Sequence, residues 1–300
     1  MSLRLATRRS PLALLQAEYV RAQLGAHGIK SELVHVETGG DAQPDVSLVS
    51  IGGQGVFALE IQRAVLEGEA DIAVHSAKDL PSLTPSGLTL AGVPERRDPA
   101  DVLVGRSLAG LGPGATVATG SPRRRALLLE RRPDLRIVDL RGNMAKRLSQ
   151  AGSDGVDAVV TAAAALERLG ETRQIAERLD PAWFVPQVGQ GALALEVRDD
   201  DHETMAIVAK ITDADAMEAV LAERAFLGEL GAGCSIPAGA YATLAQGVIS
   251  LHGVMLAGDG SRSVRGSIEG RDPSILGKQL AVQLRDHDGG TSLPGWEGEP

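Results

Sequence analysis

Residues 56–81 read VFALEIQRAVLEGEADIAVHSAKDLP and contain one complete helix-to-strand unit. Apolar side chains recur at three- and four-residue intervals over Val56–Glu67, which predicts a helix. The small and β-branched residues of Asp71–Ser76 then predict a buried strand, and the segment around Lys78 follows it as a loop. A helix that leads into a buried strand is typical of an α/β fold.

The alternation of strands and helices continues on both sides of this unit. It predicts a first α/β domain over residues 1–94, completed by residues 191–210. Parallel strands are expected, because helices connect successive strands. The predicted strands are Leu3–Thr7, Glu32–Glu37, Asp71–Ser76, Leu88–Val93 and Leu193–Arg198, and the predicted helices are Ser10–Ala26 and Val56–Glu67.

Two further domains are predicted downstream. Residues 98–187 repeat the α/β pattern and are rich in arginine. Over residues 213–300 the order changes to helix, alternating strands and helix, which predicts a small C-terminal α+β domain with a poorly ordered tail after Asp288. The predicted strands are Asp101–Val104, Thr116–Ala118, Arg136–Leu140, Ala158–Thr161, Tyr241–Ala257 and Val264–Glu269, and the predicted helices are Pro122–Arg131, Met144–Ala151, Ala162–Leu169, Ala214–Glu229 and Pro273–Asp286.

The composition narrows the possible functions. The single cysteine excludes an internal disulfide and a cysteine-rich metal cage, and the six histidines show no ligand spacing. Phe, Tyr and Trp make up only 2% of the residues, so stacking platforms for nucleic-acid bases are not expected. No apolar run reaches the roughly 18 residues of a membrane span, and the first residues lack a signal-peptide pattern. We therefore expect a cytoplasmic protein without a metal.

Positive charge is concentrated in one part of an acidic chain. The net charge is −9, yet residues 95–150 contain twelve basic and six acidic residues, which leaves −15 for the remainder. A nucleic-acid-binding domain is normally basic as a whole, so this distribution favours a local anion site. A solvated charged face is the alternative.

Arginines collect at three predicted helix starts, where Ser10, Ser121 and Asn143 are the expected N-caps. A cation at a helix N-terminus opposes the macrodipole and costs about 0.3–1 kcal/mol. The repetition predicts a bound anion as the compensating partner, because backbone N–H groups and guanidinium forks suit carboxylates or phosphates. The arginines concerned are Arg8, Arg9, Arg123, Arg124, Arg125, Arg141 and Arg147.

Two segments contain candidate reactive side chains. Lys78 and Asp79 follow a predicted strand, and ligands bind beyond strand ends in open α/β sheets. A plain turn in which Lys78 pairs with Asp79 explains these residues equally well. Cys234 lies in a glycine-rich loop, where an accessible thiol could hold a covalent group, although a lone cysteine is commonly an inert apolar filler. From the residues alone both choices stay open.

Taken together, seven motifs resemble the porphobilinogen deaminase (hydroxymethylbilane synthase) family over nearly the whole chain. They follow the family's order and approximate spacing, which makes the joint match specific. The resemblance implies two α/β domains similar to those of periplasmic-type binding proteins, and a third domain that presents a cysteine loop to the cleft between them. The motifs are ATRRSPLAL, ADIAVHSAKDLP, ERRDPADV, RRPDLRIVDLRGN, ALERLG, VGQGALALE and GAGCSIPAGAYA.

The resemblance also implies a chemistry. Cys234 would hold a dipyrromethane cofactor through a thioether, and four porphobilinogen molecules would extend this primer, with loss of ammonia, before hydrolysis releases hydroxymethylbilane. Asp79 matches the family's catalytic carboxylate. A fixed carboxylate can stabilise the electron-poor azafulvene left when ammonia departs, and it can assist proton transfer as the carbon–carbon bond forms. No nucleic acid, membrane or obligatory protein partner is implied, and a monomer is expected.

Each pyrrole carries acetate and propionate groups, so the resemblance assigns the arginine-rich segment to the carboxylates of the growing chain. The binding residues it implies are Arg8, Ser10, Lys78, Ser121, Arg123, Arg124, Arg141, Arg147 and Arg168.

Some positions depart from the family pattern, mainly in or beside residues 39–55, a glycine-flanked segment predicted to be a mobile lid. Gly39, Ser50, Gln54 and Leu59 stand where many relatives carry basic residues, and Gly120 stands where a serine is common. The departures put the lid's part in substrate binding in question, while the catalytic and attachment residues are retained.

Two other classes of function fit parts of the pattern. A two-domain α/β cleft also occurs in non-enzymatic anion-binding or effector-sensing modules, which would not need Cys234. A nucleic-acid-binding protein is disfavoured by the acidic remainder of the chain and by its few aromatic residues.

Overall fold

The described part of the chain contains two five-stranded sheets and one three-stranded sheet. In the computed structural model the described residues are 2–36, 56–153, 155–231 and 236–296, with the backbone alone at 56 and 57. The predicted lid, with Gly39, Ser50 and Gln54, lies outside these residues, and so does Cys234. The three sheets confirm the predicted class of two α/β domains and a small α+β domain. The residue limits of the domains stay a prediction.

Most predicted elements are present close to their predicted bounds. The strands are β1 (Leu3–Arg8), β2 (Ser31–Val36), β3 (Ile72–Ser76), β4 (Leu88–Gly92), β5 (Asp101–Gly105), β6 (Thr116–Ala118), β7 (Arg136–Val138), β8 (Ala158–Ala162), β9 (Ile175–Leu179), β10 (Leu193–Arg198), β11 (Ala238–Ala245), β12 (Val248–Leu256) and β13 (Ser263–Gly270). The helices are α1 (Pro11–Ala26), α2 (Val56–Leu66), α3 (Pro122–Arg131), α4 (Met144–Ser149), α5 (Ala163–Leu169), α6 (His202–Val208), α7 (Ala214–Glu229) and α8 (Pro273–Val282).

The prediction of wholly parallel sheets is wrong for one strand in each five-stranded sheet. In both sheets this is the first strand after the chain arrives from the other domain. The first sheet has the order β2-β1-β3-β10-β4, and β10 runs antiparallel to β3 and β4. The second has the order β7-β6-β8-β5-β9, and β5 runs antiparallel to β8 and β9. No crossover helix precedes β5 or β10, so nothing forces either strand into the common direction.

The C-terminal domain differs from prediction in two places. The long strand predicted over Tyr241–Ala257 is a hairpin, because Gln246 and Gly247 both have positive φ (54° and 71°) and turn the chain between β11 and β12. The tail after Asp288 is not poorly ordered as far as residue 296. Leu293 is fully buried there, and the indole Nε1 of Trp296 donates a hydrogen bond to the Leu256 carbonyl at 2.8 Å. These two apolar anchors outweigh the glycine and proline content that suggested disorder.

The C-terminal domain packs against both α/β domains. Val254 and Leu256 of β12 share one apolar cluster with Leu127 and Phe184 of the second domain. Val220 on α7 lies in a second cluster with apolar residues of the first domain. This packing places α7 at the junction of the three sheets.

Helices α7 and α8 approach so closely that Gly277 has no room for a side chain. A Cβ at Gly277 would lie 2.3 Å from the Ala222 carbonyl oxygen and 2.6 Å from the Phe226 nitrogen. We expect Gly277→Ala to lower the free energy of unfolding by about 1–3 kcal/mol, because the helices must separate. Urea unfolding would measure this change.

Gly25 provides the matched control, since it also lies in a helix but has nothing within 4 Å of a built Cβ. Alanine is the better helix former by about 1 kcal/mol, so Gly25→Ala should stabilise the protein. Stabilisation by both substitutions would contradict the close-packing explanation.

Over the described ranges, no helix is both long and apolar enough to cross a membrane. The same residues contain no group of three or more His, Cys, Asp or Glu side chains placed to hold a metal ion.

Candidate active site at the domain junction

The three predicted helix starts have the predicted caps. The Ser10 hydroxyl accepts a hydrogen bond from the Ala13 N–H at 3.3 Å. Ser121 accepts from the Arg124 N–H at 3.4 Å, and the Asn143 side chain accepts from the Lys146 N–H at 2.9 Å. These bonds set the start of α1, α3 and α4 and so fix where the neighbouring arginines leave the backbone.

Lys78 and Asp79 lie in a short 3₁₀ turn, Ala77–Asp79, directly after β3. The chain crosses between the two α/β domains twice, over residues 93–100 (the first crossing) and residues 180–192 (the second crossing). The second crossing holds this turn, since the Ala77 N–H donates to the Ala192 carbonyl at 3.0 Å and the Gln187 amide donates to the Lys78 carbonyl at 3.1 Å. The turn therefore has a fixed backbone at the carboxyl end of β3, as predicted for a ligand-binding edge.

The environment of Lys78 is partly buried and strongly electrostatic. Its Nζ donates to the Gln190 side-chain oxygen at 3.4 Å. Burial lowers the pKa of Lys78 to about 8, the positive charge of Arg124 adds to this effect, and the carboxylates of Asp79 and Asp101 oppose it. Lys78 thus shares one charged cluster with Asp79 and Arg124.

Arg147 joins the same cluster from α4. Burial lowers its pKa, Arg124 lowers it further and Asp79 raises it. Its Nε donates to the Gly142 carbonyl at 2.8 Å, which ties the side chain to the loop before α4. Arg147 of the second domain therefore lies within electrostatic range of Arg124 and of Asp79 in the first domain.

Arg123 and Arg124 do not stand on a solvated face. Both are buried, at 3% and 9% exposure, and both bind the fully buried carboxylate of Asp101 at 2.7 Å. An internal carboxylate therefore compensates part of the charge of these two arginines, and the predicted bound anion stays a prediction. The solvated-face alternative holds for Arg125, whose side chain is exposed.

Three other predicted arginines stand on different parts of the fold. Arg8 ends β1, which is parallel to β3, so it lies at the same sheet edge as Asp79. Arg141 is half exposed, 3.6 Å from Asp139. Arg168 lies beside the second crossing, where its guanidinium donates to the Gly191 carbonyl at 2.8 Å; burial, reinforced by the charge of Arg97, lowers its pKa to about 10.

A small cavity opens beside the cluster, between α3, the second crossing and the C-terminal domain. Ser121 and Arg123 line it on the polar side, and Leu227 and Ile236 line it on the apolar side. Ile236 is the first described residue after Cys234, so the cysteine loop returns to the described chain at this cavity.

Leu59, one of the positions that depart from the family pattern, is 54% exposed on α2.

Sequence reasoning did not single out four polar residues that organise the junction, of which three are fully buried and one, Arg96, is partly buried: Asp101, Gln190, Arg96 and Glu223. Glu223 is fully buried on α7 and accepts from Arg96, at 2.6 Å, and from the Gly189 N–H, at 2.7 Å. The sequence signal that could have indicated a buried charge is a charged residue directly beside an apolar run, such as Asp101 before Val-Leu-Val. Its partners are distant in sequence, so their identity had no local signal.

Two family models match this chain. Residues 3–206 match "Porphobilinogen deaminase, dipyromethane cofactor binding domain", and residues 217–286 match "Porphobilinogen deaminase, C-terminal domain". Among curated relatives, the porphobilinogen deaminase of Roseiflexus sp. is 46% identical over 296 residues, covering 96% of this chain and 97% of the relative. That of Syntrophotalea carbinolica is 44% identical over 290 residues, covering 94% of this chain and 92% of the relative.

Solved structures with some similarity include a periplasmic substrate-binding protein of an ABC transporter from Coxiella burnetii. It is 15% identical, has a TM-score of 0.43 and matches 72% of this chain and 94% of its own. The methionine-binding protein MetQ is 14% identical, has a TM-score of 0.44 and matches 72% of this chain and 92% of its own.

Proposed function

The chain belongs to the porphobilinogen deaminase family, and from this premise we propose that it joins four porphobilinogen molecules head to tail on a dipyrromethane primer. Ammonia is released at each condensation, and hydrolysis finally frees hydroxymethylbilane. The protein is accordingly a transferase of heme biosynthesis. The observation that supports this most directly is the fixed turn holding Asp79 beside Lys78, Arg124 and Arg147 at the domain junction.

The charges at the junction fit an anionic cofactor. Four cations, Lys78, Arg123, Arg124 and Arg147, share this region with the two carboxylates of Asp79 and Asp101. These six groups together carry a net charge of +2, and the acetate and propionate groups of dipyrromethane have the opposite charge. When bound, the cofactor supplies the free pyrrole end to which the first substrate is joined.

We assign the catalytic role to Asp79. Departure of ammonia leaves positive charge near the substrate's pyrrole N–H, and a fixed carboxylate that accepts a hydrogen bond from this N–H stabilises that charge. The same carboxylate can take part in the proton transfer that follows formation of the carbon–carbon bond. The rigid turn after β3 keeps it in place through each condensation.

We propose that the carboxylates of the pyrrole chain are bound by cations and hydroxyls around this turn. Arg168 is included although it donates to the Gly191 carbonyl, because a guanidinium has five N–H groups. The set is Arg8, Ser10, Lys78, Ser121, Arg123, Arg124, Arg141, Arg147 and Arg168.

The proposed attachment of the primer to Cys234 can be tested directly. We expect intact-mass spectrometry of the purified wild-type chain to show an added mass equal to one dipyrromethane, because the thiol of Cys234 forms a thioether with it. Cys234→Ser should lack this mass and should not convert porphobilinogen. The neighbouring Ser235→Ala leaves the thiol in place and should keep both.

An unmodified wild-type chain that binds porphobilinogen without converting it would instead indicate an anion-binding module. A Cys234→Ser chain that retains the added mass would place the attachment on another residue.

A further inference from the structure

We propose that Asp101 is a positioning residue, which fixes Arg123 and Arg124 in the orientation that receives the primer's carboxylates. This inference rests on the proposed function. It concerns how the binding site is held in shape before any anion enters.

The carboxylate of Asp101 lies between the two guanidinium groups at the start of β5 and is fully buried. One oxygen, Oδ2, accepts from Arg123 Nη2 at 2.7 Å. The other, Oδ1, accepts from Arg124 Nε at 2.8 Å and from the Gln190 amide at 3.0 Å. Both oxygens are thus used to hold side chains of the proposed site.

Each guanidinium has a second fixed point on the backbone. Arg123 Nη1 donates to the Val185 carbonyl at 2.7 Å, and Arg124 Nη1 donates to the Val160 carbonyl at 3.3 Å. A planar group held at two points cannot rotate freely, so its remaining N–H groups keep their direction. Such preorganisation removes part of the entropy cost of binding a ligand carboxylate.

The charge balance explains why one carboxylate serves two arginines. Burial raises the pKa of Asp101, but the charges of Arg123 and Arg124, together with hydrogen bonds from Gln190 and Arg123, hold the pKa below its usual range. Asp101 is therefore ionised and cancels one of the two positive charges. The pair keeps one net positive charge for an incoming carboxylate, while the repulsion that would drive two buried guanidinium groups apart is reduced.

Gln190 extends this arrangement to the catalytic turn. Its amide donates to Asp101, and its side-chain oxygen accepts from Arg124 Nη2 at 3.3 Å and from Lys78 Nζ at 3.4 Å. Gln190 lies on the crossing between the two domains. Asp101 consequently shares one hydrogen-bond network with Lys78, next to Asp79.

The test is the assembly of the primer on an unprimed chain. Unprimed wild type and variants would be incubated with porphobilinogen, and the gain of mass would be followed by intact-mass spectrometry. Asp101→Asn keeps the size of the side chain but removes its charge. We expect it to assemble the primer roughly 10–100-fold more slowly, because misplacing a binding group by about 1 Å has effects of this size.

Two variants separate positioning from stability. Glu196→Gln removes another fully buried carboxylate, one that accepts from Gln62 at 2.8 Å and lies 3.2 Å from His75, so it controls for the cost of losing a buried charge. It should assemble the primer at the wild-type rate while folded. Asp101→Glu keeps the charge but displaces it by one methylene, and it should be slowed with a raised KM for porphobilinogen in the primed chain.

The outcomes are distinguishable. If unprimed wild type gains no mass, the proposed function fails. If wild type is primed and folded Asp101→Asn is primed as fast or faster, Asp101 does not position the arginines. If Asp101→Asn does not fold, Asp101→Glu decides, and a wild-type rate and KM for that variant would overturn the inference.

Discussion

Replacing Asp79 by asparagine is expected to lower the turnover of porphobilinogen by about 10³-fold while the chain stays folded. The carboxylate is the proposed acceptor for the substrate's pyrrole N–H, and its negative charge stabilises the positive charge that develops as ammonia leaves. Losing a preorganised electrostatic group of this kind costs about 10²–10³-fold, and loss of proton transfer adds to the effect. An amide of the same size removes the charge and leaves the turn intact.

The measurement is single-turnover consumption of porphobilinogen by a chain that already carries its primer. Primer content must be confirmed by mass, so that slow chemistry is not mistaken for an empty site. Asp71→Asn is the matched control, since Asp71 precedes the same strand at its opposite end and pairs with Arg4 at 2.7 Å. We expect that control to keep wild-type turnover when folded.

Asp79→Glu tests how far position matters. It retains the charge on a side chain longer by one methylene, and we expect turnover between those of asparagine and wild type. Near-normal turnover by primed Asp79→Asn would show that Asp79 is not the catalytic residue, and Lys78 would be the next residue to test.

Replacing Glu223 by glutamine is expected to lower the free energy of unfolding by about 3–5 kcal/mol. The carboxylate is fully buried and accepts from both terminal nitrogens of Arg96, at 2.6 and 3.2 Å, and from the N–H groups of Gly189 and Ala242, at 2.7 and 2.9 Å. These donors belong to both domain crossings and to β11. A neutral amide leaves the largely buried guanidinium of Arg96 without its counter-charge and turns two of the acceptor contacts into donor–donor conflicts.

Urea unfolding of Glu223→Gln would be compared with Glu18→Gln. Glu18 also pairs with an arginine at 2.6 Å, but that pair is exposed at 42% and 48%. An exposed pair contributes only about 0–1 kcal/mol, so the two variants share a bond length and differ in burial. Equal losses would show that burial does not set the value of the Arg96–Glu223 pair.

Features that depend on neighbours in sequence were accessible without the structure. The caps at Ser10, Ser121 and Asn143 follow from side chains that reach N–H groups three residues away. The strand before Lys78 and Asp79 follows from the small and β-branched residues of Asp71–Ser76, and strand ends of open α/β sheets are where ligands bind. The joint order of motifs was enough to indicate the family, which the comparisons confirm.

Features that depend on distant partners were not accessible. Asp101 and Gln190 meet although 89 residues separate them, and Arg96 meets Glu223 across 127 residues. The composition of the tail wrongly predicted poor order, because two apolar side chains pack against distant residues in a way that no local pattern shows. The predicted direction of β5 and β10 was wrong, because the direction of each strand is set by where the chain enters the sheet.

The sequence by itself therefore determined the elements, their caps, the excess of arginine in the middle of the chain and the family, since these rest on interactions within a few residues or on the motifs themselves. The position of Lys78 and Asp79 at the end of a strand followed for the same reason, while ligand binding there stays a proposal. Only the tertiary structure decided which arginines are already paired, because buried charge is compensated by whatever carboxylate folding brings within 3 Å. That is how Asp101, which had no predicted role, comes to organise the cations around Asp79.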